Sequence, residues 1–121
     1  MWQGYVDNLT AGGFIKGAIL GHNGAVWAKS ASLNFQGNEA QTLASTAFSQ
    51  SALGGIKIEG QKYICLKTDD RSCYLKLGTG GAVAVKSGQA VVLGIYDQNL
   101  QPGAAANAAE KLADYLIGVG Y

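Results

Sequence analysis

The chain has 121 residues, 48% of them apolar and 14% charged, a balance that excludes a disordered polypeptide and suffices for one hydrophobic core. Nine basic and eight acidic side chains leave a net charge of +1, so no global field steers the chain to nucleic acid or membrane, and such a partner needs a local patch. No apolar run approaches the roughly 20 residues that span a bilayer, and Met1-Trp2-Gln3 lacks the basic and apolar regions of a secretion signal, so one soluble cytosolic domain over residues 1–121 is expected.

Trp2, Tyr5, Val6 and Leu9 follow the i, i+3, i+4, i+7 spacing of one helical face, which predicts a short helix over residues 2–9 that Ala11-Gly12-Gly13 breaks. Phe14 to Leu20 and Ala25 to Ser30 read as two antiparallel strands, joined by Gly21-His22-Asn23-Gly24. Asn38 to Phe48 reads as a helix with Asn38 as N-cap, Glu39 in the first turn, and Leu43, Ala44, Ala47 and Phe48 inward. Five strands follow at Ile56 to Glu59, Gln61 to Thr68, Cys73 to Leu77, Ala82 to Ser87 and Ala90 to Tyr96, with turns too short for parallel crossovers. The unbroken AVVLGIY run belongs near the centre of the sheet.

The clearest helix is the last, from Pro102 to Val119. Proline suits the first helical position, and apolar pairs recur every four residues, small at Ala104, Ala105, Ala108 and Ala109, larger at Leu112, Leu116 and Ile117. Such a helix lies close to a flat sheet at its start; Gly118 and Gly120 end it. The fold class is therefore α+β, with about seven strands in one mostly antiparallel sheet and the first and last helices side by side on one face.

Catalytic signatures are weak. The one histidine, His22, sits in a hairpin turn with no carboxylate near it in sequence and reads as a solvated turn residue; no metal set, cofactor or catalytic residue is expected. Asp69 and Asp70 read as turn formers, and Gly78-Thr79-Gly80-Gly81 as a hairpin turn, since a phosphate loop leads into a helix and this one leads into a strand. Cys65 and Cys73 read as reduced, packed thiols. A hairpin folded at Asp70 and Arg71 sets Cys65 opposite a residue near Lys76, which disfavours a disulfide.

Two groups point to binding. Trp2, Tyr5, Trp27, Tyr115 and Tyr121 fall on elements expected to pack together, either as cement between helices and sheet or as a shelf of rings for an extended polyproline-II ligand. Lys57, Lys62, Lys67, Arg71, Lys76 and Lys86 spread through the strands, either as a solvated face or as a patch for a protein or an anionic lipid; Lys67 and Lys76 approach each other across their hairpin, with Lys86 on a neighbouring strand.

The opening WQGYVD, AILG followed by VWA, GQKY with the DDRS turn, LGTGG and the ending QPGAAANAAEKLADYLIGVGY together resemble a small amoeboid-type profilin over the whole chain. The resemblance implies a sheet between two helical layers in a cytoskeletal adaptor that binds an actin monomer and proline-rich proteins such as formins. It assigns the proline-rich groove to Trp2, Tyr5, Trp27, Tyr115, Leu116 and Tyr121. It assigns the actin face to Lys67, Arg71, Lys76 and Lys86 on the strands, with Gly103, Asn107 and Lys111 on the last helix. Some profilins carry arginines where this chain has Ile117 and Gly118, so any phosphoinositide contact rests on the strand-side lysines. Two other readings stay open beside this one: a small ligand-sensing domain of similar sandwich fold, and a phosphoinositide-binding regulator that needs no actin.

Overall fold

The computed structural model describes residues 2 to 121; Met1, part of the opening read above, lies outside them. Helix α1 (Trp2–Ala11) leads into strands β1 (Lys16–Gly21) and β2 (Val26–Lys29), then helix α2 (Glu39–Thr46). Strands β3 (Ile56–Ile58), β4 (Gln61–Thr68), β5 (Ser72–Leu77), β6 (Gly80–Lys86) and β7 (Ala90–Tyr96) follow, and helix α3 (Pro102–Gly118) comes last. A short 3-10 turn over Gln50–Gly54, absent from the sequence reading, bridges α2 and β3. The seven strands form one antiparallel sheet in the order β2-β1-β7-β6-β5-β4-β3.

Alternation along the strands sorts the core into two layers. Ala18, Leu20, Cys73, Leu75, Ala82, Ala84, Val91 and Leu93 pack with Leu43 and Ala47 of α2 on one face. Ile19, Val83, Val85 and Val92 pack with Val6 and Leu9 of α1 and Ala105, Ala109, Ala113 and Leu116 of α3 on the other. The terminal helices thus lie together on one face, and the small side chains at the start of α3 sit flat against β6 and β7. Every residue of β7 is buried, as its unbroken apolar run predicts. At Gly94 the Phe14 ring lies 2.5 Å from where a Cβ would stand, so glycine there is a packing requirement.

Local chemistry accounts for several departures from the sequence reading. Asn38 does not cap α2 with its side chain. Instead the buried Glu39 carboxylate accepts hydrogen bonds from the backbone N–H groups of Gln36 (2.8 Å), Glu59 (2.7 Å) and Gly60 (2.7 Å), tying the helix start to the β3–β4 turn. Glu59 and Gly60 both have positive φ, as a two-residue hairpin of this twist requires. Asp69 forms its turn by accepting from the N–H groups of Arg71 and Ser72, and these bonds hold its carboxyl below its ordinary value.

The β4–β5 ladder also carries an irregularity. Thr68 pairs with Cys73 and Lys67 with Tyr74, as the turn predicts, but a bulge then shifts the ladder so that Cys65 pairs with Leu75 and Ile64 with Lys76. Leu66 is the extra residue. A bulge puts two side chains on one face where the pleat allows one, so Leu66 and Lys67 both stand on the α3 face while Cys65 turns toward α2. Cys65 thus faces Leu75, next to Lys76 and not Cys73, as the turn predicts, and both cysteines are free thiols, yet the bulge brings their sulfurs to 4.0 Å.

Candidate functional site

The first site forms where both terminal helices meet the β1–β2 hairpin. Trp2 in the first turn of α1 stands 5.6 Å from Tyr5, 4.8 Å from Trp27 and 4.8 Å from Tyr121 between ring centroids, and Tyr5 stands 5.9 Å from Tyr115. The rings are tilted or edge-on, so they form a continuous surface of faces and edges rather than a sealed stack. Gly21 makes room for Trp27: a Cβ there would lie 3.1 Å from the indole nitrogen. Trp2, Trp27, Tyr121 and Gln89 line an open cleft of about 390 Å³.

Tyr121 is held in place rather than loose. Its N–H donates to the Leu116 carbonyl at 2.7 Å, and its own carbonyl accepts from the Ser87 hydroxyl at 2.8 Å and from the Gln89 N–H. His22, expected to be free in its turn, is hydrogen-bonded through Nε2 to the Ser87 carbonyl at 2.9 Å and so braces the same corner. Desolvation among the rings, with the adjoining Tyr115 hydroxyl, pushes the Tyr5 phenol above its ordinary value. Of the six residues assigned to this groove, the five rings come together. Leu116 is fully buried beneath them and contributes support, not surface.

The second site is the part of the same sheet face that α3 leaves uncovered. Ile64 and Leu66 are 64% and 59% exposed, a large apolar exposure for strand residues. Leu66, Tyr74, Val83 and Tyr96 form a cleft of about 270 Å³ with Pro102, Gly103 and Ala106 at the start of α3. Lys67, opposite Tyr74, and Lys76, opposite Ile64, flank it, and Lys57 and Lys62 extend the basic edge as a direct cross-strand pair. Arg71 reaches α3, forming an ion pair with Asp114. Gly103, Asn107 and Lys111 are exposed on α3.

Lys86 is the exception among the candidates. Strand alternation puts it on the α2 face, its ammonium 5.0 Å from the centre of the Phe48 ring. The structure therefore gathers Lys67, Arg71 and Lys76 with the α3 residues and sets Lys86 apart. Sequence reasoning passed over Ile64, Leu66 and Tyr74. The signal for Ile64 and Leu66 is the run YICL between lysines, apolar on both faces of one strand; Tyr74, on the next strand, has no such marker.

The chain matches the profilin family model over residues 1–121. It belongs to the profilin family. It is 49% identical over 118 residues to profilin-2 of Dictyostelium discoideum, covering 96% of this chain and 95% of that one. Among solved structures it superposes on Acanthamoeba castellanii profilin IB with a TM-score of 0.92 at 42% identity, covering all of both chains. Mouse profilin IIa, solved in complex with a double repeat from the FH1 domain of mDia1, shares the fold at a TM-score of 0.79 and 23% identity, covering 99% of each chain. As a profilin, the chain is a non-catalytic adaptor.

Proposed function

We propose that this profilin binds an actin monomer on the β4–β5 and α3 face and proline-rich segments, such as those of formins, on the aromatic shelf, and so regulates filament assembly in the cytoplasm. The observation that carries this reading is the shelf itself: five rings from α1, β2 and the end of α3, linked at centroid distances of 4.8 to 5.9 Å and open to solvent. A polyproline-II ligand is already extended and loses little entropy on docking, while its proline rings and carbonyls meet aromatic faces and Trp and Tyr donors.

The actin face rests on a second observation, an apolar cleft at Leu66 and Tyr74 rimmed by lysines, which suits a partner surface that is apolar at its centre and acidic at its edge. A proline-only peptide of about ten residues should change the fluorescence of Trp2 and Trp27 on titration; no change at millimolar peptide overturns the shelf assignment. Lys76→Glu should weaken actin-monomer binding by about tenfold or more through charge reversal at the rim and leave the peptide titration unaltered. Loss of both activities together would refute separate sites.

A phosphoinositide is a second ligand for the same basic edge. Lys57, Lys62, Lys67 and Lys76 share one sheet face and make no salt bridge among the described residues, and Lys57 directly opposite Lys62 is a repulsive pair that an anionic headgroup would relieve. Vesicles containing phosphatidylinositol bisphosphate should bind the native protein and not the Lys57→Glu, Lys62→Glu double variant; equal binding of the two removes this reading.

A further inference from the structure

The bulge in β4 does two things at once. An unbroken ladder from Thr68 would put Cys65 on the same face as Lys67, away from Cys73. The extra residue at Leu66 reverses the pleat, so Cys65 points into the layer between sheet and α2, where Cys73 is fully buried and its sulfur lies 4.0 Å away. Nothing in the binding sites described above uses either thiol. We propose that Cys65 and Cys73 are a modification site, forming a reversible intrachain disulfide when the protein meets a hydroperoxide.

The exposures assign the order of events. Cys65 is partly accessible and Cys73 is not, so the Cys65 thiolate attacks the peroxide oxygen; the O–O bond breaks, water leaves, and Cys65 becomes a sulfenic acid. The Cys73 sulfur then attacks the Cys65 sulfur, the S–O bond breaks, and hydroxide leaves as water with the proton that Cys73 gives up. Two thiols have lost two electrons and two protons, and one hydrogen peroxide has become two waters. The sulfurs must close from 4.0 Å to about 2.05 Å, which asks for side-chain rotation and a small strand adjustment. Burial, with the neighbouring Cys65, pushes the Cys73 thiol up to about 12, so the second step is slow at neutral pH and accelerates as pH rises. The bond would tie β4, which presents Leu66 and Lys67, to β5, but its chemistry does not depend on which partner uses that face.

The test treats the full chain with hydrogen peroxide, blocks remaining thiols in denaturant and weighs the product. The expected result is a monomer about 2 Da lighter with both thiols lost, and their return on reduction with dithiothreitol. Cys73→Ser should trap Cys65 as a sulfenic acid that dimedone captures, and Cys65→Ser should leave Cys73 unmodified under the same treatment. Retention of both thiols in the native protein while Cys73→Ser is captured would overturn the proposal. So would a disulfide found only between two chains, or oxidation of Cys73 in Cys65→Ser as fast as in the native protein.

Discussion

Trp2 touches three other rings and walls the cleft, while Leu116 lies fully buried below it, so substitutions at the two can tell the proposed binding role from support. Trp2→Ala removes ring faces a ligand would meet and should weaken the proline peptide by tenfold or more, about 1.4 kcal/mol, measured by the fluorescence of Trp27. Leu116→Ala empties core volume and should cost about 2–5 kcal/mol of stability in urea unfolding, with peptide affinity near native in the fraction that stays folded. A Leu116→Ala protein of native stability would show that the side chain is not packed as described. The rings were legible because Trp2 and Tyr5 fall three apart on one helical face and Tyr115 at the margin of another. Depth was not: periodicity says which way Leu116 points, and only the closing of the chain through the Tyr121 N–H to its carbonyl puts it out of reach.

At the scale of elements, the β3–β4 turn shows what pattern reading misses. Glu39 reads as an ordinary acidic residue in a first helical turn, but it is buried and serves three backbone N–H groups that come from segments 3 to 21 residues away. Glu59 continues the tie, accepting from the Lys16 ammonium at 2.9 Å and from the Asn34 N–H at 3.0 Å. Partial burial works against the Glu59 carboxylate, but these two donors and the nearby Lys29 prevail and hold its carboxyl below the ordinary 4.5. A folded value below the unfolded one stabilises the protein fully above about pH 4.5 and loses that contribution as pH falls through the folded value. Urea midpoints should therefore fall more gently toward acid in Lys16→Met than in the native protein; parallel curves would show that the pair is not linked to folding. The bulge at Leu66 was equally hidden. A bulge inserts one residue without a marker of its own, and QKYICLKT is as good a plain strand as a bulged one.

Across the whole molecule, the architecture was legible because its signals agree: turn residues between alternating runs, one unbroken central strand, and a last helix graded from alanine to leucine. What the pattern could not supply was the position of Lys86, which depends on the parity of β6 and puts it over Phe48 on the α2 face. Lys86→Ala should consequently leave actin affinity within about twofold of native while Lys76→Glu lowers it sharply; equal losses would bring the α2 face into the actin site. The candidates on α3 run from Gly103 beside the apolar cleft to Tyr115 on the shelf, about 18 Å at 1.5 Å per residue.

If the two surfaces bind as proposed, the way α3 is fastened bears on whether their partners influence each other. Midway along the helix, Glu110 accepts from the Tyr74 hydroxyl at 2.7 Å and the Ser72 hydroxyl at 3.2 Å, and Asp114 pairs with Arg71. The Tyr74 phenol is pushed up, first by this bond to Glu110, as expected when its donor role is fixed. Underneath, Ala105, Ala109 and Ala113 are fully buried against the sheet. Coupling between sites through α3 needs two arrangements of the helix that both ligands bias, and its fastening at the middle and on the inner face opposes a second one. Saturating actin should therefore change the proline-peptide affinity by less than about twofold, and by linkage the peptide should change actin affinity no more. Independence of this kind would let a tethered proline tract hold profilin with its actin near a filament end, with delivery set by effective concentration rather than by release of one partner by the other. A tenfold change in either direction, measured by calorimetry with and without the second partner, would mean that α3 moves. The Glu110→Gln variant should then alter that coupling, because it weakens the bond that fastens the helix between the two sites.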